Sequence, residues 1–193
     1  MIPGRAKPSG FTLIELMVGL AIAAFLLLLG IPSFTTYLRN SEIRSTSESI
    51  VNGLKAAAAG AANRNVPVTF AIKGGGGSAW TGWEITYVDE NDATQTIQTY
   101  AKKEGGTNTS LTLAPVGKSS VVFTELGRVA KQGTAGDHLQ QVDVASLVSG
   151  AGRPLRIIID DVTPATPGKP RGLRMCDPDP ALAALSPPDP RAC

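Results

Sequence analysis

The sequence predicts an α+β fold in which a long N-terminal transmembrane and amphipathic helix packs on a small antiparallel β-sheet domain. First, residues 11–31 form a continuous apolar run, and the helical pattern continues beyond it to about residue 65. Second, the rest of the chain consists of short alternating apolar and polar runs separated by glycine and proline. The chain has 193 residues, which leaves room for one such domain after the helix.

The apolar run at residues 11–31 is long enough to cross a membrane. At about 1.5 Å per residue it spans a hydrocarbon core of roughly 30 Å. Arg5 and Lys7 precede it, which by the positive-inside bias predicts a cytoplasmic N-terminus and a periplasmic C-terminal domain at the bacterial inner membrane. A secretory signal has its small-residue cleavage site after the apolar stretch. Here the small pair Ser9-Gly10 comes before it, so we expect processing to keep the helix.

Glu15 is the only ionisable side chain within this run. An acidic residue in a membrane helix costs about 2.5–3.5 kcal/mol at the helix centre and less toward an end. The attraction between unit charges at about 4 Å grows from about 1 kcal/mol in water to about 4 kcal/mol at an effective dielectric of 20. We therefore expect Glu15 to have a charge partner, the alternative being an ordinary single-pass anchor that tolerates one polar residue.

The stretch GFTLIELMVGLAIAAFLLLLGIP, residues 10–32, resembles the class III signal of type IV pilin-like proteins. The resemblance implies that a prepilin peptidase cuts between Gly10 and Phe11 and methylates the new N-terminus at Phe11. It also implies that Glu15 pairs with the N-terminal ammonium of a neighbouring subunit during assembly. The chain then divides into a leader at residues 1–10, a transmembrane helix at 11–31, an amphipathic continuation at 32–65 and a β-rich domain with a Pro-rich tail at 66–193.

The second half of the helix is predicted from its apolar spacing. Pro32 is expected to kink the helix or open a turn, because proline has no N–H to donate and its ring clashes with a preceding carbonyl. Beyond it, one stripe at three-, four- and seven-residue spacing contains Ile43, Ile50, Leu54, Ala57 and Ala61. Residues 63–65, followed by Pro67, are expected to end the helix.

Seven strands are predicted after the helix from alternation and turn residues. They cover residues 66–72, 83–88, 95–101, 109–116, 120–126, 154–162 and 171–176. Trp80 and Trp83 are expected in the core rather than in a binding site. Residues 131–152 form a polar insertion to which we assign no element.

The motifs RNVPVTF, WTGWEITYVDEN, VVFTELGRV and RGLRMCDP narrow the resemblance to the GspH/FimT family of minor pilins and pseudopilins. The family implies a structural subunit of the tip or priming complex of a type IV pilus or of a type II secretion pseudopilus. Its implied partners are the prepilin peptidase, other minor pilins or pseudopilins, the major subunit and the inner membrane, and after assembly it lies at the filament tip.

Cys176 and Cys193 are the only cysteines, and the predicted topology places them in an oxidising compartment. Closing a loop of this length stabilises a protein by about 3 kcal/mol in the chain-entropy model. A bridge would tie down the Pro-rich tail between them, which has little else to order it, whereas two free thiols remain the alternative. Paired C-terminal cysteines resemble minor pilins more than secretion pseudopilins, which favours the pilus.

The sequence predicts no enzymatic activity and no cofactor. His138, the only histidine, follows Asp137 on a glycine-rich stretch and is expected to be a solvated loop residue, since a catalytic triad needs converging side chains. APVGKSS lacks the first glycine of a phosphate-binding loop, because Thr112 stands there. One histidine and two cysteines are too few for a zinc site.

DNA binding in natural transformation is the alternative function. Five basic residues come from two late predicted strands: Arg153, Arg156, Lys169, Arg171 and Arg174. DNA-uptake pilins of the family use a C-terminal glycine–arginine motif, but GRPLR has one residue too many for it and RGLR transposes it. Removing the leader with its two basic residues leaves a formally neutral chain, unlike most nucleic-acid-binding domains. A solvated strand face or intersubunit salt bridges are therefore favoured for these arginines.

Overall fold

The computed structural model describes residues 10–130, 137–148, 152–159, 172–185 and 189–193. The chain divides into two compact units, Met1–Leu38 and Arg39–Cys193. The first unit consists, in its described part, of the N-terminal half of one helix and the residues before it. The second contains the rest of this helix and every strand found among the described residues.

Helix α1 covers Leu13–Arg64, close to the predicted range. It is continuous through Pro32, so the alternative that Pro32 opens a turn is wrong. A proline removes one backbone hydrogen bond, and the helix-forming residues on both sides maintain the others. The helix ends as predicted, because Asn65 has a left-handed φ of 55°, a conformation that asparagine tolerates just after a helix.

In the part of the chain that the structure describes, eight strands form two antiparallel sheets, which confirms the predicted α+β class. The first sheet has the order β3-β2-β1-β5, and the second has the order β4-β6-β7-β8. The strands are β1 (Val68–Lys73), β2 (Gly82–Val88), β3 (Thr94–Ala101), β4 (Thr109–Ala114), β5 (Ser120–Phe123), β6 (Gln141–Ser146), β7 (Leu155–Ile158) and β8 (Arg174–Cys176). A 3₁₀ turn covers Lys102–Glu104, and a short helix α2 covers Pro180–Ala183.

The amphipathic stripe predicted on α1 forms the centre of the core. All five of its residues are at most 1% exposed: Ile43, Ile50, Leu54, Ala57 and Ala61. They belong to one hydrophobic cluster with residues of both sheets, among them Phe70 and Ile85 of the first and Val142 and Ile157 of the second. The helical period in the sequence is therefore the packing surface of the folded domain.

The two tryptophans lie in this core, as predicted. Trp80 is 1% and Trp83 is 3% exposed, and both indole N–H groups find acceptors at 3.0 Å, the carbonyl oxygen of Thr109 for Trp80 and Ser49 Oγ on α1 for Trp83. The Trp83 ring also stacks on Tyr100, with ring centroids 5.7 Å apart. Since buried indole groups need such partners, the Trp83 bond ties the first sheet to the helix, and the Trp80 bond ties the segment before β2 to β4.

Two sequence expectations are corrected in the segment after β5. Part of the unassigned insertion at 131–152 is strand β6, which pairs with both β4 and β7. His138 is only 6% exposed, so the prediction of a solvated loop residue is wrong. The reason lies in its neighbour Leu139, which is fully buried and donates its backbone N–H to the Ser120 carbonyl at 2.8 Å. This bond draws the segment against β5.

Gly53 on α1 allows the first sheet to approach the helix closely. A Cβ atom at this position would lie 2.9 Å from Phe70 Cε2 and 3.0 Å from Trp83 Cζ2, both tighter than ordinary contacts. At Gly60, about two turns further along the helix, the nearest atom would be Ile97 Cδ1 at 3.5 Å, which is an ordinary contact. The two helical glycines are therefore a matched pair.

We expect Gly53→Ala to lower the melting temperature of the detergent-solubilised protein and Gly60→Ala to raise it. Alanine favours a helix over glycine by about 0.5–1 kcal/mol, whereas forcing atoms into a packed core costs about 1–3 kcal/mol. Only Gly53→Ala has the cost of forcing atoms into the packed core. An increase in melting temperature for both variants would contradict the close packing at Gly53.

Candidate assembly surfaces

The N-terminal part of α1 exposes apolar side chains in every direction. Every described side chain from residue 10 to residue 28 is exposed, beginning with Phe11 at 85%. By length and composition this is one helix that is able to cross a membrane. A helix that is apolar on all sides requires a membrane or neighbouring helices to cover it.

Glu15 lies in the first turn of this helix. The Thr12 hydroxyl accepts the Glu15 backbone N–H at 3.3 Å, which is one half of a capping box in the sequence Thr-Leu-Ile-Glu. The carboxylate lies near the positive end of the helix dipole. Among the described residues no cation pairs with this carboxylate, so its side chain is open to a partner.

Thr12 is a residue that the sequence analysis missed. The Thr-x-x-Glu spacing directly before an apolar run is the sequence signal that identifies it as a helix cap.

Gly10 and Phe11 lie just before the helix, and both are exposed. A Cβ atom added at Gly10 would meet nothing within 4 Å. The same is true of Gly19 inside the helix. Packing among the described residues therefore requires a glycine at neither position.

Cys176 and Cys193 form a disulfide bond, with their Cα atoms 5.1 Å apart. The tail that it closes is also held by backbone hydrogen bonds, from Asp177 N–H to the Arg191 carbonyl at 2.7 Å and from Cys193 N–H to the Asp177 carbonyl at 3.0 Å. The Asp179 side chain caps α2 by accepting the Ala181 N–H at 2.9 Å. The expectation that little besides the bridge orders this tail is thus wrong, because aspartates before and after α2 supply local caps.

The arginines proposed for DNA contact are distributed over three environments. Arg156 on β7 makes two hydrogen bonds of 2.8 Å to the Asp143 carboxylate on β6. Arg156 is opposite Cys176 in the register, and residues directly opposite each other point to the same face of the sheet. Arg174 is two residues before Cys176 on β8, so it points to this face as well. Arg153 is exposed before β7, and its backbone N–H donates to Asn40 Oδ1 at 2.8 Å. Lys169 and Arg171 lie outside the described residues.

The Asp143–Arg156 pair is the most enclosed ion pair among the described residues, with side chains 22% and 30% exposed. Asp143 also accepts two bonds from Gln141 Nε2, at 3.1 and 3.2 Å. The hydrogen bond to Asp143 raises the pKa of Arg156. A bidentate pair of this kind joins β6 to β7 and commits the guanidinium to a partner within the chain.

A groove of about 510 Å³ lies beside the disulfide. Its lining combines three arginines with an aspartate and apolar side chains: Asn40, Arg44, Arg153, Leu155, Met175, Cys176, Asp177, Pro190 and Arg191. Arg44 pairs with Glu48 at 2.8 Å, and Arg191 pairs with Asp189 at 2.7 Å. The hydrogen bond from Arg191 lowers the pKa of Asp189 to about 2. The groove therefore carries balanced charge instead of a uniformly basic surface.

Within the described ranges, no group of three or more His, Cys, Asp or Glu residues could hold a metal ion. The described surface presents an exposed apolar helix, a carboxylate at the start of this helix and a set of paired charges on the domain.

Two protein families match the chain. The prokaryotic N-terminal methylation motif matches residues 5–31, and the type II transport protein GspH matches residues 46–162, more than half of the chain. No curated protein and no solved structure matches it.

We expect Arg156→Gln and Asp143→Asn each to lower the free energy of unfolding by about 1–2 kcal/mol, because each leaves a partly enclosed polar group without its charged partner. Since the two residues interact, the double variant should lose less than the sum of the single losses. Arg44→Gln is the control, because its pair with Glu48 is exposed to solvent and exposed ion pairs contribute little to stability. Additive losses in denaturant titrations would contradict the pairing.

Proposed function

Because the chain belongs to the GspH family of type II transport proteins, we propose that it is a non-enzymatic structural subunit of the tip or priming complex of a type IV pilus or a type II secretion pseudopilus. At the level of the family, it is a pilin-like subunit with a prepilin N-terminus. One observation supports the proposal most: the methylation motif lies on an apolar helix whose described side chains are exposed on all sides. Such a helix requires cover from a membrane and then from other subunits.

The prepilin signal and the apolar helix anchor the protein in a membrane. We place this anchor in the bacterial inner membrane, with the N-terminus in the cytoplasm and the domain in the periplasm. The basic residues Arg5 and Lys7 before the apolar run support this orientation. The disulfide supports it as well, because such bonds persist in the periplasm and are rare in the cytosol.

Assembly proceeds by processing and then pairing. The prepilin peptidase removes residues 1–10 and methylates Phe11. The ammonium of Phe11 on one subunit then pairs with Glu15 of another, so that two charges are neutralised together in a medium of low dielectric. The open carboxylate of Glu15 at the start of the helix supports this role. The same carboxylate also stabilises the positive end of its own helix, so the two roles have to be separated by experiment.

The partners are other minor pilins or pseudopilins and the major subunit. The C-terminal disulfide favours the pilus over the secretion machine. The test that separates the two is a deletion strain scored side by side for surface pili and for exoprotein secretion. Loss of secretion with normal pili would assign the protein to the secretion pseudopilus.

Processing is tested by Gly10→Val, which should leave the full-length precursor in the membrane. Gly19→Val is the matched control and should be processed normally, since both glycines lie in open space. Mass spectrometry of the wild-type protein should find a methylated Phe11 at the N-terminus. A mature N-terminus beyond Ile31 would mean that the helix is discarded and would overturn the proposal.

The pairing role of Glu15 is tested by Glu15→Ala and Glu15→Gln. Both should insert into the membrane more easily, because a charge is removed, but both should co-purify poorly with the other minor subunits. Thr12→Ala is the control, since it removes the cap and keeps the carboxylate. The pairing would be contradicted if Glu15→Ala co-purified with the other minor subunits as well as the wild-type protein does. It would also be contradicted if Thr12→Ala reduced this co-purification as much as Glu15→Ala does.

DNA capture is the rival function and makes a different prediction. A DNA-binding protein should shift duplex DNA at low salt with an affinity that falls steeply as salt rises. Because Arg156 is committed to Asp143 and the mature chain is formally neutral, we expect the detergent-solubilised protein to give no shift. A salt-sensitive shift that is lost when Arg153, Arg156, Arg171 and Arg174 are all replaced by glutamine would favour DNA capture instead.

A further inference from the structure

The two sheets, as far as the structure describes them, have four edge strands, of which three are covered or short. β5 accepts backbone hydrogen bonds of 2.8 Å from Ala130 and Leu139, which lie outside the sheet. β4 forms a bridge with Gly77 at Leu111. β8 has only three residues and continues into the bridge between Asp177 and Ala192. These are ordinary ways in which a fold protects its edge strands.

The edge at β3 differs from the other three. It has eight residues, Thr94–Ala101, without a charged residue or a proline. Among the residues that the structure describes, only β2 pairs with it. Its other side therefore presents a row of backbone N–H and C=O groups, which is a template for another strand.

The one irregularity of β3 is an extra residue at Ile97. In the register Ile85 is opposite Gln98 and Thr86 is opposite Thr96, so Ile97 has no direct partner on β2. This bulge leaves two regular runs, residues 94–96 and 98–101. If two β3 strands paired antiparallel with Ile97 at the centre, residues 94–96 of each strand would lie opposite residues 98–100 of the other.

The two ends of β3 carry opposite charge. At its start, the hairpin turn contains Asp89, Glu90 and Asp92, of which Glu90 and Asp92 are exposed. At its end, the 3₁₀ turn Lys102–Glu104 contains two lysines and one glutamate. The formal charges are thus −3 at one end and +1 at the other.

We propose that β3 pairs antiparallel with β3 of a second copy of this chain, joining the two first sheets into one. An antiparallel pair places the acidic turn of each copy beside the basic turn of the other, whereas a parallel pair would place like charges together. The neutral Thr and Gln side chains avoid repulsion across the two-fold axis. This contact concerns the domain and does not depend on which machine the protein serves.

The test is cross-linking of the full-length protein in its membrane. Gln98→Cys places an exposed thiol next to the centre of the proposed pair, and Thr112→Cys, exposed on β4, is the matched control. A short bismaleimide should link Gln98→Cys into a product of twice the mass of the chain and leave Thr112→Cys unlinked. Adding Thr99→Lys to Gln98→Cys should abolish most of this product, since a charge then faces the other copy.

Charge reversal distinguishes specific pairing from chance collision. In the Gln98→Cys background, Lys103→Glu should reduce the cross-linked product several-fold, because both ends of β3 are then negative, and adding Glu104→Lys should restore it, because the basic end returns to a formal charge of +1. A yield from Gln98→Cys no higher than that from Thr112→Cys, or a failure of Glu104→Lys to restore the product, would overturn the proposal. Linkage to a protein of another mass would mean that a different subunit occupies this edge and would overturn it as well.

Discussion

The folded domain depends on one face of α1, the stripe from Ile43 to Ala61. This face belongs to the same buried cluster as residues of both sheets. Gly53 lets Phe70 and Trp83 approach the helix, and Ser49 accepts the indole N–H of Trp83. Close apolar packing and one half-buried hydrogen bond thus determine where the first sheet meets the helix.

The first half of the same helix exposes its apolar side chains instead of burying them in the domain. There, no part of the described chain covers the apolar side chains, and burying them is left to a membrane or to other subunits. One continuous helix therefore serves two purposes, since one segment stabilises the domain and the other makes the subunit dependent on its surroundings. This division agrees with the two family matches, one at residues 5–31 and the other at residues 46–162.

Side-chain periodicity predicted most of the helices and strands, and the features that the sequence interpretation missed have separate reasons. Seven of the eight strands were predicted, because side chains alternate along them. The missed strand β6 has the same alternation, with Val142 and Val144 buried, but it lies in a polar stretch beside glycine-rich sequence. His138 was misjudged for a related reason, since its burial follows from the packing of Leu139 and not from its own polarity. The helix cap Thr12 had a readable signal that was overlooked.

The sequence by itself determined the helix and its buried stripe, most strands, the prepilin motif and the pair of cysteines. Each of these features depends on the identity and spacing of residues that are near one another in the chain. Only the tertiary structure decided that the strands form two sheets, that Arg156 is bound to Asp143 instead of joining a basic patch, and that the outer side of β3 has no partner strand among the described residues. These features depend on contacts between residues far apart in the chain. Local patterns are compatible with several such pairings, and the choice among them is made by how all the elements pack at once.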